Sequence, residues 1–143
     1  FEQSKKIPDL GQKLDLLRRE LHADVVAAAG CLPERFIPYI QPYEYEALLF
    51  SDVSALTQVN PSWSKKSIER LVEIRAAAES PEHINDRPET KPAAHLEREL
   101  NNPSYRKRRH GPIAAQKIGL AKIEAECAFF AAWLAQIREL AQP

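Results

Sequence analysis

The sequence predicts an α+β fold that is predominantly helical, and three observations support this fold class. Apolar residues recur three and four positions apart near both ends of the chain, as they do on one face of an α-helix. Only the segment RFIPYI, residues 35–40, has the short length and the β-branched and aromatic content of a strand. A chain of 143 residues with 44% hydrophobic content suits one core. We therefore expect a single domain, residues 1–143.

The first third of the chain is predicted to form a helix, a strand and a second, shorter helix. Apolar positions from Leu10 to Ala28 form one stripe, and Gly30 is placed to end that helix. Pro38 has no amide hydrogen to donate, so RFIPYI suits the edge or the end of a sheet. Residues 43–50 predict a short helix. Asp52 or the serine before it can cap a further turn.

The remaining elements are predicted to be helices separated by proline and glycine signals. One amphipathic helix follows the turn at Pro61, and another has Pro92 at its first helical position. GPIAAQKIGL, residues 111–120, predicts a helix that begins near its proline and ends at Gly119. The apolar positions of residues 120–141 predict either one long helix or two helices that meet near Cys127.

Composition limits the function classes that the chain can serve. Lys+Arg and Asp+Glu are both 20, so the whole chain lacks the charge of a dedicated nucleic-acid binder, and any such contact must be local. Cys31 and Cys127 form no CxxC pattern, which favours a reduced pair over a disulfide or zinc. No apolar run approaches the roughly 18–20 residues that span a bilayer. We expect a soluble, cytoplasmic protein.

Two glutamates stand one residue apart in YEYEALLFSD, residues 43–52. In a helix, Glu46 shares a face with Leu49 and Phe50, whereas Glu44 points to a different side. The helix is apolar on nearly every side, so burial is expected, and a buried carboxylate needs a partner. The partner is either the free amides of a first helical turn or a basic side chain or metal ion. The spacing alone leaves the capping role and the metal or acid–base role open.

A basic cluster, YRKRRHG, occupies residues 105–111 just before the predicted GPIAAQKIGL helix. Its cations and the adjacent helix amides are suited to bind phosphate, although a solvated basic loop would have the same composition. The candidate nucleic-acid-binding residues are Tyr105, Arg106, Lys107, Arg108, Arg109 and His110.

Other candidate residues carry weaker signals. Asn85 and Asp86 lie in a proline-rich loop and are most simply turn formers. Trp63 and Trp133 fit core or partner-facing positions better than base-stacking ones. No glycine-rich phosphate loop, nucleophile elbow or Cys/His pair is present in the sequence, so those reaction classes have no support.

Three long strings carry a family resemblance: RFIPYIQPYEYEALLFSD, SPEHINDRPETKPAAHL and YRKRRHGPIAAQKIGLAKIEAECAFFAAWL. In this order they resemble the later half of the bacterial domain-of-unknown-function family 4276, which is grouped with Toprim-like proteins. The resemblance covers roughly residues 34 to 140. It implies an upstream Toprim-like α/β half that carries further acidic metal ligands. Because the chain starts at Phe1 and contains no methionine, we expect it to be the C-terminal part of a longer protein.

The resemblance assigns a paired-glutamate motif to Glu44 and Glu46, with similar Glu-x-Glu strings in the overcoming-lysogenization-defect nucleases. Two positions depart from the family pattern. Tyr43 stands where relatives often have histidine, and Ala128 stands where many have proline. The second departure questions whether a sharp break separates the last two helices.

The family's Tyr-x-Lys motif before a glycine matches Tyr105, Lys107 and Gly111, and its Asn-Asp pair matches Asn85 and Asp86. The Toprim grouping implies magnesium-dependent phosphodiester hydrolysis, which is an analogy from fold.

We therefore expect a metal-dependent nuclease component of a bacterial defence or mobile-element system, inactive as this fragment alone. Glu44 and Glu46 would supply or orient Mg²⁺ ligands, and Lys107 would contact phosphate. The alternative is a non-catalytic module that docks on an ATPase encoded nearby, through the C-terminal apolar face and exposed tryptophans. The sequence leaves DNA or RNA preference open.

Overall fold

The computed structural model describes residues 4–84, 87 and 89–140, which belong to two compact units. One unit comprises the described residues up to Ile40 and from Ala132 onward, and the other comprises those from Gln41 to Ala131. The prediction of one domain stays a prediction, because compact units of one chain need not fold independently.

A long helix, α1 (Leu10–Ala29), dominates the first unit. Asp9 caps its start, where Oδ1 accepts a hydrogen bond of 2.8 Å from the Gln12 amide. Gly30 follows the helix in the left-handed region, with φ 61°, a conformation that glycine adopts without steric cost. The predicted helix and its glycine end are confirmed.

The predicted strand RFIPYI is wrong. Arg35 belongs to a short 3-10 helix, and residues 36–40 have no regular secondary structure. Across residues 4–84, 87 and 89–140, the only β pairing is an isolated bridge between Asn101 and Ser104. Pro38 cannot donate to a ladder, and the Tyr39 ring stacks on Trp133 with centroids 4.9 Å apart. Aromatic content therefore reflects side-chain packing here. The helical part of the predicted fold class is confirmed, whereas a sheet is not seen in the described residues.

The second unit consists of short helices around one apolar core. Its helices are α2 (Glu46–Leu49), α3 (Val53–Thr57), α4 (Lys65–Ala76), α5 (Pro92–Glu99), α6 (Lys107–Ile118), α7 (Leu120–Glu126) and the start of α8 (Ala128–Glu139). Helices of four and five residues are not stable on their own, so packing must hold them. The largest fully buried apolar side chains of this core are Leu49, Phe50, Leu56, Leu71, Leu96 and Leu100.

Local signals set most of the helix starts in the second unit. Asp52 caps α3 by accepting a 2.9 Å hydrogen bond from the Ala55 amide, and Ser64 caps α4. Pro92 occupies the first position of α5, as predicted.

The start predicted for α6 is wrong, because the helix begins at Lys107 and includes Pro112. The basic cluster is therefore mostly the first turns of this helix. The His110 ring explains the early start. Its Nδ1 accepts a 2.9 Å hydrogen bond from the Arg106 amide, which would otherwise lack a partner at the helix end. Gly119 ends the helix, as predicted.

The C-terminal apolar segment forms two helices that meet at Cys127, so the second of the two alternatives is confirmed. Cys127 has the non-helical angles φ −120° and ψ 88°, although Ala128 replaces the proline expected there. The carboxylate of Glu82 stabilises the new helix start. Its oxygens accept hydrogen bonds of 2.8 Å from the Phe129 amide and 3.0 Å from the Phe130 amide.

The two cysteines are both free thiols, of which Cys127 is buried and Cys31 is partly exposed.

Among the residues that the structure describes, no helix has the length and apolar character needed to cross a membrane.

We predict that Glu82→Ala destabilises the fold by about 1–3 kcal/mol, because it leaves two helix-end amides without an acceptor. Glu82 is fully buried, so water cannot replace the carboxylate without rearrangement. Chemical denaturation measures the free energy of unfolding. The control is Glu79→Ala, whose side chain is 83% exposed and lies 3.9 Å from His83. Equal stabilities of the two variants would contradict the capping role of Glu82.

Candidate functional site

The structure brings Glu44, Glu46 and Lys107 together, although they are distant in sequence. Lys107 Nζ lies 3.0 Å from Glu46 Oε2. The charge of Lys107 also acts on Glu44, since it contributes to lowering the pKa of that carboxyl. The three residues lie on the packed helices α2 and α6 and on the segment just before α2. We call Glu44, Glu46 and Lys107 the acidic site.

Glu46 is the first residue of α2 and is completely buried. The predicted burial is thus confirmed, and among the partners that the sequence left open the fold supplies a basic side chain, Lys107. The pairing is incomplete, however. Oε1 receives no hydrogen bond from any described residue, and the approach of Lys107 to Oε2 lacks good hydrogen-bond geometry. Buried polar atoms without partners are rare in proteins, and each has a free-energy cost. Glu46 therefore has an uncommitted buried acceptor.

Glu44 caps a helix, but not its own. Its Oε2 accepts a 2.9 Å hydrogen bond from the Ala93 amide in the first turn of α5, and Oε1 pairs with Lys91 Nζ at 3.1 Å. Burial alone would raise the pKa of Glu44. The Ala93 hydrogen bond, Lys91 and the charge of Lys107 outweigh it, so the pKa is lowered. Both oxygens of Glu44 are committed to protein partners.

Lys107 connects the buried carboxylate with solvent. Its side chain is 53% exposed, whereas Glu46 beside it has no exposed surface. The interaction with Glu46 raises the pKa of Lys107, and the nearby charges of Glu44 and Glu97 add to this effect. Lys107 thus stays cationic and can present one side to a ligand while the other faces Glu46.

Two tyrosines lie near Glu46, since its charge contributes to raising the pKa of both Tyr45 and Tyr105. Tyr105 is buried, and its hydroxyl has no hydrogen-bond partner among the described residues. Burial, followed by the charge of Glu46, raises the pKa of Tyr105 well above its usual range. The Tyr45 hydroxyl donates a long, 3.4 Å hydrogen bond to the Gly111 carbonyl. Tyr105 therefore stays protonated and is a neutral neighbour of Glu46.

The predicted basic cluster divides into exposed and buried residues. Arg106, Arg108 and Arg109 are exposed and remain candidates for phosphate contact. Tyr105 and His110 are buried, so they do not form part of the exposed basic surface, and their role in nucleic-acid binding stays a prediction. The His110 ring on α6 packs against Trp63 and Tyr105, and Tyr105, which precedes α6, belongs to the apolar core.

The described residues do not form a complete magnesium site. Across residues 4–84, 87 and 89–140, no group of three His, Cys, Asp or Glu side chains is arranged to hold a metal ion. Glu46 Oε1 is an uncommitted buried oxygen of the type that Mg²⁺ prefers, whereas both Glu44 oxygens have partners. The acidic site therefore fits a metal only as one ligand contributor. Asn85 and Asp86 lie outside the described residues.

Sequence reasoning missed several residues that shape this region. Lys91 pairs with Glu44, and Glu97 contributes to the field at Lys107. Glu82 was not singled out either. No motif marks these residues, because each acts through a contact with a distant part of the chain.

We predict that Lys107→Met destabilises the fold, because it leaves the buried Glu46 charge without its counter-ion. The loss should be smaller than the roughly 3–5 kcal/mol typical of fully buried pairs, since half of Lys107 is in water. Adding Glu46→Gln should recover part of the loss, which denaturation of both variants measures. Lys122→Met, at an exposed pair with Glu126, is the control and should have little effect. No recovery in the double variant would contradict the buried pair.

We predict that stability falls as the pH drops from about 7.5 to about 5.5. Burial, followed by Arg109 and Arg106, lowers the pKa of His110, and burial also lowers the pKa of His95. The unfolded chain therefore binds more protons below about pH 6.5 than the folded chain does. Denaturation across this range should show a shallower fall for His110→Asn, with the remainder due to His95. Superimposable pH profiles would refute the assignment to His110.

Comparison with known proteins identifies a family whose function is not established. No curated protein and no solved structure matches the chain. The family described as Domain of unknown function (DUF4276) matches residues 3–138, which is nearly the whole chain. The resemblance drawn from the sequence strings is confirmed at the level of the family. The chain therefore belongs to the DUF4276 family.

Proposed function

We propose that this chain contributes to a metal-dependent nuclease that hydrolyses phosphodiester bonds, with Glu46 and Lys107 as its reactive pair. The observation that carries the proposal is the buried Glu46 carboxylate with an unpartnered oxygen. A buried carboxylate oxygen without a hydrogen bond lowers stability, so a functional requirement is a reason for keeping it. A purely structural cap would satisfy its oxygens, as Glu44 and Glu82 do.

Lys107 is suited to bind the phosphate. It stays cationic because Glu46 raises its pKa, and its half-exposed ammonium is within reach of a ligand from solvent. A fixed cation beside a scissile phosphate would offset the negative charge that develops during hydrolysis. Glu46 in turn orients Lys107, and Glu44 holds the start of α5 against the same site.

A bound Mg²⁺ would polarise the phosphate and lower the pKa of a water molecule. Glu46 Oε1 is the atom of this chain best placed to be a ligand, and Glu44 would take part only after giving up Lys91 or the Ala93 amide. The remaining ligands would come from beyond the acidic site. An upstream Toprim-like half is part of this proposal, as are a cytoplasmic location and a role in a bacterial defence or mobile-element system.

The alternative of a docking module for an ATPase has a smaller surface than the sequence indicated. Trp63 is in the core, and so are Ile123 and Cys127 of the C-terminal apolar face. Leu120 and Leu140 are exposed, at 51% and 68%, and would remain available to a partner. The docking proposal is therefore supported only by isolated exposed apolar side chains, whereas the nuclease proposal is supported by the charged residues of the acidic site.

We predict that Glu46→Gln in the full-length protein abolishes metal-dependent cleavage of nucleic acid while the fold is retained. Glutamine keeps the size of the side chain but removes the charge that orients Lys107. Cleavage of duplex and single-stranded substrates with Mg²⁺ measures activity, and circular dichroism checks folding. Glu69→Gln, an exposed position on α4, is the matched control and should cleave like the wild type.

Wild-type cleavage by a folded Glu46→Gln variant would contradict the proposed role of Glu46. Absence of cleavage by the wild-type protein, combined with loss of ATPase association in a Leu120→Asp variant, would favour the docking module.

A further inference from the structure

A polar pocket of about 260 Å³ lies beside the first turns of α6 in the second unit. Its polar lining residues are Asn60, Ser104, Arg106, Arg109 and His110. The pocket has no acidic residue in its lining. It is smaller than the roughly 300–1,000 Å³ of typical small-molecule sites. Its size and lining therefore suit a compact anion.

His110 supplies a fixed donor to this pocket. The side chain is 6% exposed, and Nδ1 accepts the Arg106 amide, so the hydrogen of the neutral ring is on Nε2. No described residue accepts a hydrogen bond from Nε2. The ring is held by Trp63, edge-on at 5.3 Å, and by Tyr105 at 5.7 Å. Nε2 is therefore a fixed donor of a pocket-lining residue, and it is available to a ligand that enters from solvent.

The two arginines add positive charge that no described carboxylate neutralises in an ion pair. Neither Arg106 nor Arg109 forms an ion pair with a described residue, whereas Arg75 and Arg98 do. Arginine presents planar, paired donors that match phosphate oxygens. Burial and the two arginines lower the pKa of His110, so the ring is neutral at pH 7 and donates from Nε2 without adding charge.

We propose that the Arg106–Arg109–His110 pocket binds a terminal phosphate group, such as the phosphate at the end of a nucleic-acid strand or on a nucleotide. A terminal phosphate has three free oxygens, enough for both arginines and His110 Nε2, whereas a phosphodiester has two. Phosphate binding by this pocket does not depend on the proposed function. Only the identification of a nucleic-acid strand as the molecule that carries the phosphate rests on the proposed function. The pocket would then position a strand end relative to Lys107, which lies on the same helix.

Binding, rather than cleavage, tests the pocket, so failure of the nuclease proposal would not affect the result. Calorimetric titration of the full chain with inorganic phosphate should show saturable binding. Arg106→Ala and Arg109→Ala should each weaken it by at least about tenfold, the usual effect of losing a charged hydrogen bond. Lys117→Ala is the matched control, because this exposed cation lies on the same helix but does not line the pocket. It should change affinity by less than about twofold.

His110→Asn tests the donor separately. Asparagine can still accept the Arg106 amide with its oxygen but has no group at the Nε2 position, so phosphate affinity should fall while the helix start is kept. Absence of phosphate binding by the wild type would overturn the proposal. Equal losses in Lys117→Ala and Arg109→Ala would also overturn it, because they would indicate non-specific attraction to positive charge.

The source of the phosphate is decided by comparing three probes. A 5′-phosphorylated oligonucleotide that binds at least about tenfold more tightly than its 5′-hydroxyl counterpart identifies a strand end. A nucleoside monophosphate that binds as tightly as the phosphorylated strand identifies a free nucleotide. Equal affinity for the phosphorylated and the 5′-hydroxyl strands, with both weakened by Arg109→Ala, would show binding of backbone phosphates and would contradict the terminal-phosphate proposal.

Discussion

The burial of Glu46 is the constraint on which the rest of the second unit depends. A carboxylate without exposed surface requires a counter-charge, and Lys107 at the start of α6 is the one that the fold provides. This pair fixes α2 against α6. The pair also allows Lys107 to bind an anion, because its ammonium group is held by Glu46 on one side and exposed to solvent on the other.

Carboxylates also connect the ends of helices that are too short to be stable alone. Glu44 caps α5 and Glu82 caps α8, each from a distant part of the chain, while Asp52 caps its own helix α3. In each case a helix N-terminus, with its free amides and positive dipole end, receives a negative side chain. Glu44 and Glu82 accept hydrogen bonds from helix amides, whereas the buried oxygens of Glu46 accept none from the described residues. This difference distinguishes Glu46, as a candidate reactive carboxylate, from the two structural ones.

Local features could be predicted from the sequence, and contacts between distant residues could not. The stripe ending at Gly30 and the proline at the first position of α5 gave correct helices, because periodicity and backbone angles are local properties. The strand predicted for RFIPYI was wrong because a strand needs a second strand to which its backbone can hydrogen-bond, and the sequence of one segment does not show whether such a partner is present. The start of α6 failed because the His110 ring, rather than Pro112, determines where that helix begins. Tertiary packing decided both cases.

The candidate site shows the same division. The apolar surroundings of Glu46 in the sequence implied burial and a partner, and both are present. The identity of the partner required the fold, as did the cap that Glu44 provides to α5. Tyr105 and His110 belong to a basic string in the sequence, yet both are buried in the folded chain. The sequence therefore identified residue types that could take part in chemistry. Only the fold showed which of these residues are exposed to solvent and which are buried.

The titration of Lys107 tests the central claim most directly. NMR of the Lys107 side chain, labelled at the ε carbon and ζ nitrogen, measures the pKa of its ammonium group in the folded protein. The account predicts a pKa above the ordinary value of 10.5, because the interaction with Glu46 stabilises the charged form. Glu46→Gln should return the pKa towards 10.5. A wild-type pKa at or below 10.5 that does not change in Glu46→Gln would contradict the account.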